Sequence, residues 1–146
     1  MRERPRILAV DDEPAIRALV VKIIERAGFD VDVASNGAEA IEKLAERAYA
    51  VLVVDLMMPQ VDGYAVVEHL GRRGGQRPAV IVITAGGSAA IRRLDGSLVH
   101  SVVRKPFDIE VLSDLITAAA KMNDEQKRSR RLDAHGASGD VVPFSR

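Results

Sequence analysis

The chain has 146 residues, 47% hydrophobic and 29% charged, a composition typical of one globular domain with a complete core. The 21 Lys and Arg residues balance the 21 Asp and Glu residues, so net charge provides no general attraction to nucleic acid or membrane surfaces. The absence of cysteine excludes disulfides and thiolate metal sites, and with no apolar run suited to a signal peptide or bilayer span we expect a cytoplasmic protein.

Apolar segments and helical segments alternate five times along the chain. Strands are predicted over residues 6–10, 29–34, 50–54, 79–84 and 98–103. The intervening and final helices are predicted to begin near Pro14, Asn36, Asp62 and Asp108, with a weak helical segment over 86–96. Buried strands separated by helices predict an α/β fold, with a doubly wound five-stranded parallel sheet covered on both faces.

Three regions need separate expectations. Residues 86–96 contain two adjacent glycines, which cost about 1 kcal/mol each inside a helix, so we expect a short or mobile helix there. Residues 121–146 are polar and are predicted to extend the last helix and then become disordered. The predicted domain therefore covers residues 6–120 and follows a short N-terminal extension, residues 1–5.

The last helix is predicted to bury one face against the sheet. The residues expected on that face are Val111, Leu112, Leu115, Ile116 and Ala119.

Polar side chains collect where the predicted strands end. Asp11 and Asp12 follow the first strand, Asp55 follows the third, Thr84 ends the fourth, and Lys105 follows the fifth. In parallel α/β sheets the working site lies beyond the carboxyl ends of the strands, so these side chains are expected to share one site. Crowded carboxylates repel by on the order of 4 kcal/mol at ~4 Å and an effective dielectric of about 20.

A magnesium ion would relieve this repulsion. Mg²⁺ binds one or two carboxylates together with waters and phosphate oxygens. Asp55 could then attack phosphorus in line and become an acyl phosphate. Lys105 would pair with the phosphoryl oxygens, and the Thr84 hydroxyl could donate a hydrogen bond to the same group. The pattern therefore predicts a phosphate acceptor within a magnesium site.

Four motifs carry a resemblance to a known family. They are Val10-Asp11-Asp12-Glu13, Asp55-Leu56-Met57-Met58-Pro59 with Asp62-Gly63, Ile83-Thr84-Ala85, and Lys105-Pro106-Phe107. In this order and spacing the chain resembles the response-regulator receiver domains of two-component signalling, with a flavodoxin-like fold and no output domain after residue 121. The resemblance implies that a sensor histidine kinase or histidine phosphotransfer protein donates a phosphoryl group from phosphohistidine to Asp55. The phosphorylated domain would then signal to a protein partner by conformational change.

The resemblance also implies roles for individual residues at the site. Asp12, Asp55 and the Met57 carbonyl would bind Mg²⁺ directly, whereas Asp11 would act mainly through a water. On this basis the chain is a signalling domain that takes part in its own phosphotransfer and dephosphorylation, rather than an enzyme. Neither nucleic acid nor membrane is expected among its partners.

The switch residues follow the family in two of three positions. Thr84 corresponds to the switch hydroxyl and Lys105 to the phosphate-sensing lysine, whose peptide bond to Pro106 is expected to be cis as in other receivers. Val102, three residues before the lysine, stands where the family often has Tyr or Phe. The resemblance therefore does not extend to signalling by rotation of an aromatic side chain.

Three other functions use similar residues. A phosphatase of the haloacid dehalogenase type also uses Asp, Thr or Ser, Lys and magnesium, but it needs a second Asp where this chain has Met57. A flavodoxin-like flavin binder needs a Ser/Thr/Gly-rich phosphate loop where this chain has Asp11 and Asp12. A degenerate receiver acting only as a scaffold would not need the complete set of acids and lysine.

Overall fold

Five parallel strands form one sheet in the computed structural model, which describes residues 4–136. The strands are β1 (Arg6–Val10), β2 (Asp30–Ala34), β3 (Val51–Asp55), β4 (Ala79–Thr84) and β5 (Ser101–Arg104). Their order across the sheet is β2-β1-β3-β4-β5, and every neighbouring pair is parallel. The predicted doubly wound α/β fold is therefore confirmed.

Five helices connect or follow these strands. They are α1 (Pro14–Arg26), α2 (Gly37–Glu46), α3 (Gly63–Arg72), α4 (Ser88–Arg92) and α5 (Ile109–Gly136). The side chains of Asn36, Asp62 and Asp108 each accept a hydrogen bond from a backbone N–H in the first turn of the helix that follows. No helix within the described residues combines the length and the apolar composition of a bilayer-spanning segment.

The core has two layers because successive strand residues point to opposite faces of the sheet. On one face Ile7 and Val53 pack in a cluster with residues of α1 and α5, including Ile24 and Ile116. On the other face the alternate strand residues, such as Leu52, pack in a second cluster with residues of α2 and α3. Both faces are covered, as the apolar strands predicted, so the carboxyl ends of the strands are the natural place for polar chemistry.

Two predicted details are wrong. Strand β5 begins at Ser101 rather than at residue 98, because the Leu98 N–H bonds to the Asp95 carbonyl in a turn (3.0 Å) and Leu98 packs against the second cluster instead of extending a strand. Val111, expected to face inward, is 51% exposed. The buried stripe of α5 runs through Leu112 and Ile116, and Val111 lies at its edge because adjacent helical residues differ by about 100° in direction.

The two segments with few apolar residues, around α4 and after residue 120, differ in length of helix. Helix α4 has five residues, none of them buried, in agreement with the expected short helix. Helix α5 has 28 residues and continues to Gly136, held at one point by the Asn123 side-chain amide, which donates to the Arg77 carbonyl (2.8 Å). Residues 137–146, for which disorder was predicted, lie outside the described residues.

Candidate functional site

Three carboxylates meet at the carboxyl edge of the sheet. Asp11 and Asp12 follow β1 and Asp55 ends β3, and each offers an oxygen within 4.8 Å of the others. Asp11 and Asp55 are each 3% exposed, whereas Asp12 is nearer to solvent. Hard carboxylate oxygens at this spacing suit a divalent cation such as Mg²⁺, which prefers oxygen ligands and keeps several waters. The donor set therefore fits the cation that the sequence implied.

Asp55 is held rigidly by its neighbours. It is paired with Ile83 across the β3–β4 register, and its Oδ1 accepts the backbone N–H of Met57 (3.1 Å). The loop beyond it returns so closely that a Cβ on Gly63 would lie 2.4 Å from the Asp55 carbonyl oxygen. Glycine is thus required at the first residue of α3 because any larger residue would displace the backbone that carries Asp55.

Asp11 is also fixed by the main chain. Its Oδ1 accepts the Glu13 N–H (3.0 Å), and the Arg17 guanidinium donates to its backbone carbonyl (2.8 Å). Burial raises the pKa of the Asp11 carboxyl, and the negative charge of Asp55 adds to that effect. The Glu13 N–H and Lys105 oppose the rise without cancelling it.

Lys105 lies among three carboxylates. Its Nζ is 3.2 Å from Asp55 Oδ2, 3.2 Å from Glu13 Oε1 and 3.5 Å from Asp11 Oδ2. Burial alone would lower the pKa of Lys105, but the hydrogen bond to Glu13 and the charges of Asp55 and Asp11 outweigh it, so the pKa is raised. The ammonium is therefore held in its charged form, directly beside the candidate acceptor.

The backbone aims Lys105 at this position. Its N–H donates to the Thr84 carbonyl (2.9 Å), and its peptide bond to Pro106 is cis, as predicted. Thr84 is fully buried, and its Oγ1 accepts the Gly86 N–H (2.9 Å). The hydroxyl keeps a proton that it can donate. Thr84 therefore already links the strand end to the loop that leads into α4.

The structure gathers most of the predicted site residues at one place, and the side chain of Met57 is the exception. The oxygens of Asp11, Asp12 and Asp55 lie close enough together to bind one cation, and Lys105 contacts both Asp11 and Asp55. Met57, whose carbonyl was predicted as a ligand, follows Asp55 in the loop and exposes its side chain to solvent.

Two residues without a predicted role contact the predicted site residues. Glu13 was part of a recognised motif but had no assigned role, and it pairs with Lys105. Arg17, which bonds to the Asp11 carbonyl, carried no sequence signal beyond its position one turn into α1.

Helix α4 is attached to α3 by a side chain that the sequence did not single out. The Tyr64 hydroxyl donates to the Ala90 carbonyl (2.6 Å), and the Arg93 guanidinium carbon lies 3.9 Å from the centroid of the Tyr64 ring. Val102, at the position where receivers often carry an aromatic, is partly buried against the second core cluster. The aromatic group near α4 therefore comes from α3 and not from β5.

Comparisons with known proteins agree with this geometry. A protein-family model described as the response regulator receiver domain matches residues 7–117. The transcriptional regulatory protein SrrA of Staphylococcus aureus is 42% identical over 103 residues, which cover 69% of this chain and 42% of SrrA. The DNA-binding transcriptional regulator NtrC of Escherichia coli is 28% identical over 140 residues, covering 96% of this chain and 30% of NtrC. The chain thus spans less than half the length of these two curated relatives.

Solved structures show the same similarity. The response regulator TrrA from Thermotoga maritima has a TM-score of 0.71 and 30% sequence identity, covering 79% of this chain and 98% of the TrrA chain. That structure is described as a complex with Mg(2+)-BeF.

Proposed function

The chain belongs to the response regulator receiver domain family of two-component signalling, and from this membership we propose that it is a phosphorelay receiver that accepts its phosphoryl group on Asp55. The observation that carries the proposal is the surroundings of Asp55. This buried carboxylate at a strand end lies 3.2 Å from the Lys105 ammonium and within 4.8 Å of the Asp11 and Asp12 oxygens.

In the proposed reaction Asp55 is the nucleophile. A carboxylate oxygen attacks phosphorus in line, a new P–O bond forms, and the bond from phosphorus to the donor nitrogen breaks. Lys105 exchanges its contact with the Asp55 carboxylate for one with a phosphoryl oxygen, and the Thr84 hydroxyl donates to another. Asp12, Asp55 and the Met57 carbonyl would hold Mg²⁺, with Asp11 acting through a water, and the ion supplies charge neutralisation for the carboxylates and phosphoryl oxygens.

The assignment of Asp55 is tested by intact mass after incubation with acetyl phosphate and magnesium. The wild-type chain should gain one phosphoryl group that is lost on mild alkaline treatment, as expected of an acyl phosphate. Asp55→Asn keeps the shape and removes the nucleophile, so it should gain none. Asp95→Asn, a change of the same charge at an exposed turn residue, is the matched control. Uptake by Asp55→Asn at the wild-type rate would refute the proposal.

The proposed donor is a phosphohistidine on a sensor histidine kinase or a histidine phosphotransfer protein, which also implies a cytoplasmic location. The start of α1 lies beside the site, with Ala15 exposed and Ile16 and Leu19 half-buried. Ile16 and Leu19 also pack against the first core cluster, so an uncharged, larger residue at position 15, as in Ala15→Gln, perturbs this face with less risk to the fold than a change at Ile16.

Transfer from a protein donor tests this face of α1. Ala15→Gln, which adds bulk without charge, should slow transfer from a phosphohistidine-bearing phosphotransfer domain while leaving phosphorylation by acetyl phosphate unchanged. Equal loss with both donors would show damage to the site and not to a docking face.

The proposed output is a change in the segment after Thr84. The sheet is a packed core and resists deformation, whereas α4 buries none of its residues. If Thr84 turns toward the phosphoryl group, its contact with the Gly86 N–H is disturbed and the loop into α4 moves. The surface presented to a downstream protein would therefore extend from residue 86 to residue 103, on a receiver domain of residues 6–120.

Hydrogen exchange of the free and beryllofluoride-bound forms tests this output. Changed protection in α4 and the start of β5 is expected. A change confined to α5 beyond residue 120, or none at all, would contradict it.

A further inference from the structure

Glu13 is the exposed member of the three carboxylates around Lys105. Its Oε1 is 3.2 Å from the Lys105 Nζ, as close as the Asp55 oxygen, yet the Glu13 side chain is 60% exposed. Among the described residues the metal-binding cluster consists of Asp11, Asp12 and Asp55 and does not include Glu13. Neither cation binding nor phosphoryl acceptance therefore accounts for this carboxylate.

Helix α1 does not account for it either. Glu13 occupies the N-cap of α1, where Ser, Thr, Asp or Asn normally accepts a backbone N–H, and within the described chain its side chain makes no such hydrogen bond. By contrast, Asn36 and Asp62 do cap α2 and α3. The Glu13 carboxylate is therefore directed to Lys105 and not to the helix, so its replacement by Gln should cost the fold little.

Glu13 adds one negative charge to a site that already holds several carboxylates. The four carboxylates are Asp11, Asp12, Glu13 and Asp55, against the Lys105 ammonium among them and the Arg17 guanidinium at the Asp11 carbonyl. Replacing Glu13 by Gln therefore makes the site one charge less negative, whether or not Mg²⁺ is bound. Glu13 is separated from Asp55 by two successive ion pairs through Lys105, within the Debye length of about 8 Å at physiological salt.

We propose that Glu13 lowers the rate at which small anionic donors phosphorylate Asp55, because its charge repels the incoming phosphoryl group at the entrance of the site. The inference rests on the proposed phosphorylation of Asp55. It makes Glu13 a specificity-determining residue: a protein donor can offset the repulsion through contacts elsewhere, whereas a small donor cannot.

The test compares phosphorylation rates of wild type, Glu13→Gln and Glu25→Gln at saturating magnesium. Glu25→Gln removes the same charge from an exposed position twelve residues farther along α1, about 18 Å away at 1.5 Å per residue. With acetyl phosphate at low salt, Glu13→Gln should react about threefold to tenfold faster than wild type, and Glu25→Gln at the wild-type rate. The gain should be smaller with phosphoramidate, which carries less negative charge near neutral pH.

The salt dependence of the phosphorylation rates distinguishes a charge effect of Glu13 from a purely structural one. The ratio of the Glu13→Gln rate to the wild-type rate should fall toward one at about 0.5 M salt, because screening removes the repulsion. The wild-type rate with acetyl phosphate should rise more steeply with salt than the Glu13→Gln rate, because the variant has lost one of the repelling charges.

The outcomes separate this inference from the proposed function. If wild type takes up no phosphoryl group from either donor, the proposed function fails. If wild type is phosphorylated but Glu13→Gln is no faster, or Glu25→Gln gains as much, the role of Glu13 is wrong while Asp55 remains the acceptor. A gain that persists unchanged at high salt would also overturn it, because it would not arise from charge.

Discussion

Replacing Tyr64 by Phe should loosen α4 without disturbing the rest of the domain. The Tyr64 hydroxyl donates to the Ala90 carbonyl (2.6 Å) and its ring stacks on Arg93, while none of the five residues of α4 is buried. Phe keeps the ring and its contact with the guanidinium, so the substitution removes the hydrogen bond alone.

The expected magnitude follows from that single bond. A hydrogen bond between neutral groups contributes about 0.5–1.5 kcal/mol net, and we take about 1 kcal/mol because Tyr64 is half-buried. The cation–π contact with Arg93, about 0.5–1 kcal/mol, is retained. A loss of about 1 kcal/mol raises the local opening equilibrium roughly fivefold, and the amides of Ile91 and Leu94, which bond within the α4 turns, should exchange faster by the same factor.

Residue-resolved hydrogen exchange in the unphosphorylated protein measures this effect. Tyr49→Phe is the matched control. The Tyr49 hydroxyl donates to Asp32 (2.7 Å), which joins the segment before β3 to β2, the edge strand at the far side of the sheet from β5. That variant should lower the urea midpoint without a selective change in α4. Unchanged exchange at Ile91 and Leu94 in Tyr64→Phe, or an equal increase across β3, would refute the reasoning.

Three further substitutions test the site and its support. Asp12→Ala should abolish magnesium-dependent phosphorylation and raise the free energy of unfolding by about 1 kcal/mol, since it relieves repulsion with Asp55; a lower urea midpoint would contradict this. Gly63→Ala should destabilise the fold by about 1–3 kcal/mol in urea titrations and slow phosphorylation, because its Cβ would lie 2.4 Å from the Asp55 carbonyl oxygen. Burial by itself would raise the pKa of Asp32, but the Tyr49 hydroxyl and two arginines hold that pKa below its usual value. Ionised Asp32 therefore contributes stability that is present above pH ~4 and is lost as pH falls. The stability difference between wild type and Asp32→Asn should therefore be nearly constant above about pH 5 and shrink as pH falls below about pH 4, and a growing difference would contradict the assignment.

The sequence by itself determined the class of fold and the edge of the sheet where the chemistry lies. Apolar runs such as residues 79–84 are local signals of buried parallel strands, and capping residues such as Asn36 mark helix starts. Because parallel strands all end at one edge, residues that follow different strands, among them Asp55 and Lys105, can be placed together without any knowledge of distances.

Periodicity was a weaker guide at the ends of helices and strands. Leu98 and Val111 are apolar, yet one lies in a turn and the other on the exposed edge of α5, because an apolar side chain can be buried by a turn or left at a helix edge. Local composition does not distinguish these outcomes from a strand residue or a core residue.

Only the tertiary structure decided which groups touch. Lys105 and Glu13 are 92 residues apart in sequence, and their pairing depends on how β1, β5 and the loops beyond them pack. The same is true of the Tyr64 hydroxyl, which is 26 residues from Ala90 and attaches α4 to α3. Such contacts depend on distances of a few ångströms between side chains of separate elements. Local sequence patterns report which element a residue belongs to, and they do not report which distant residue it touches.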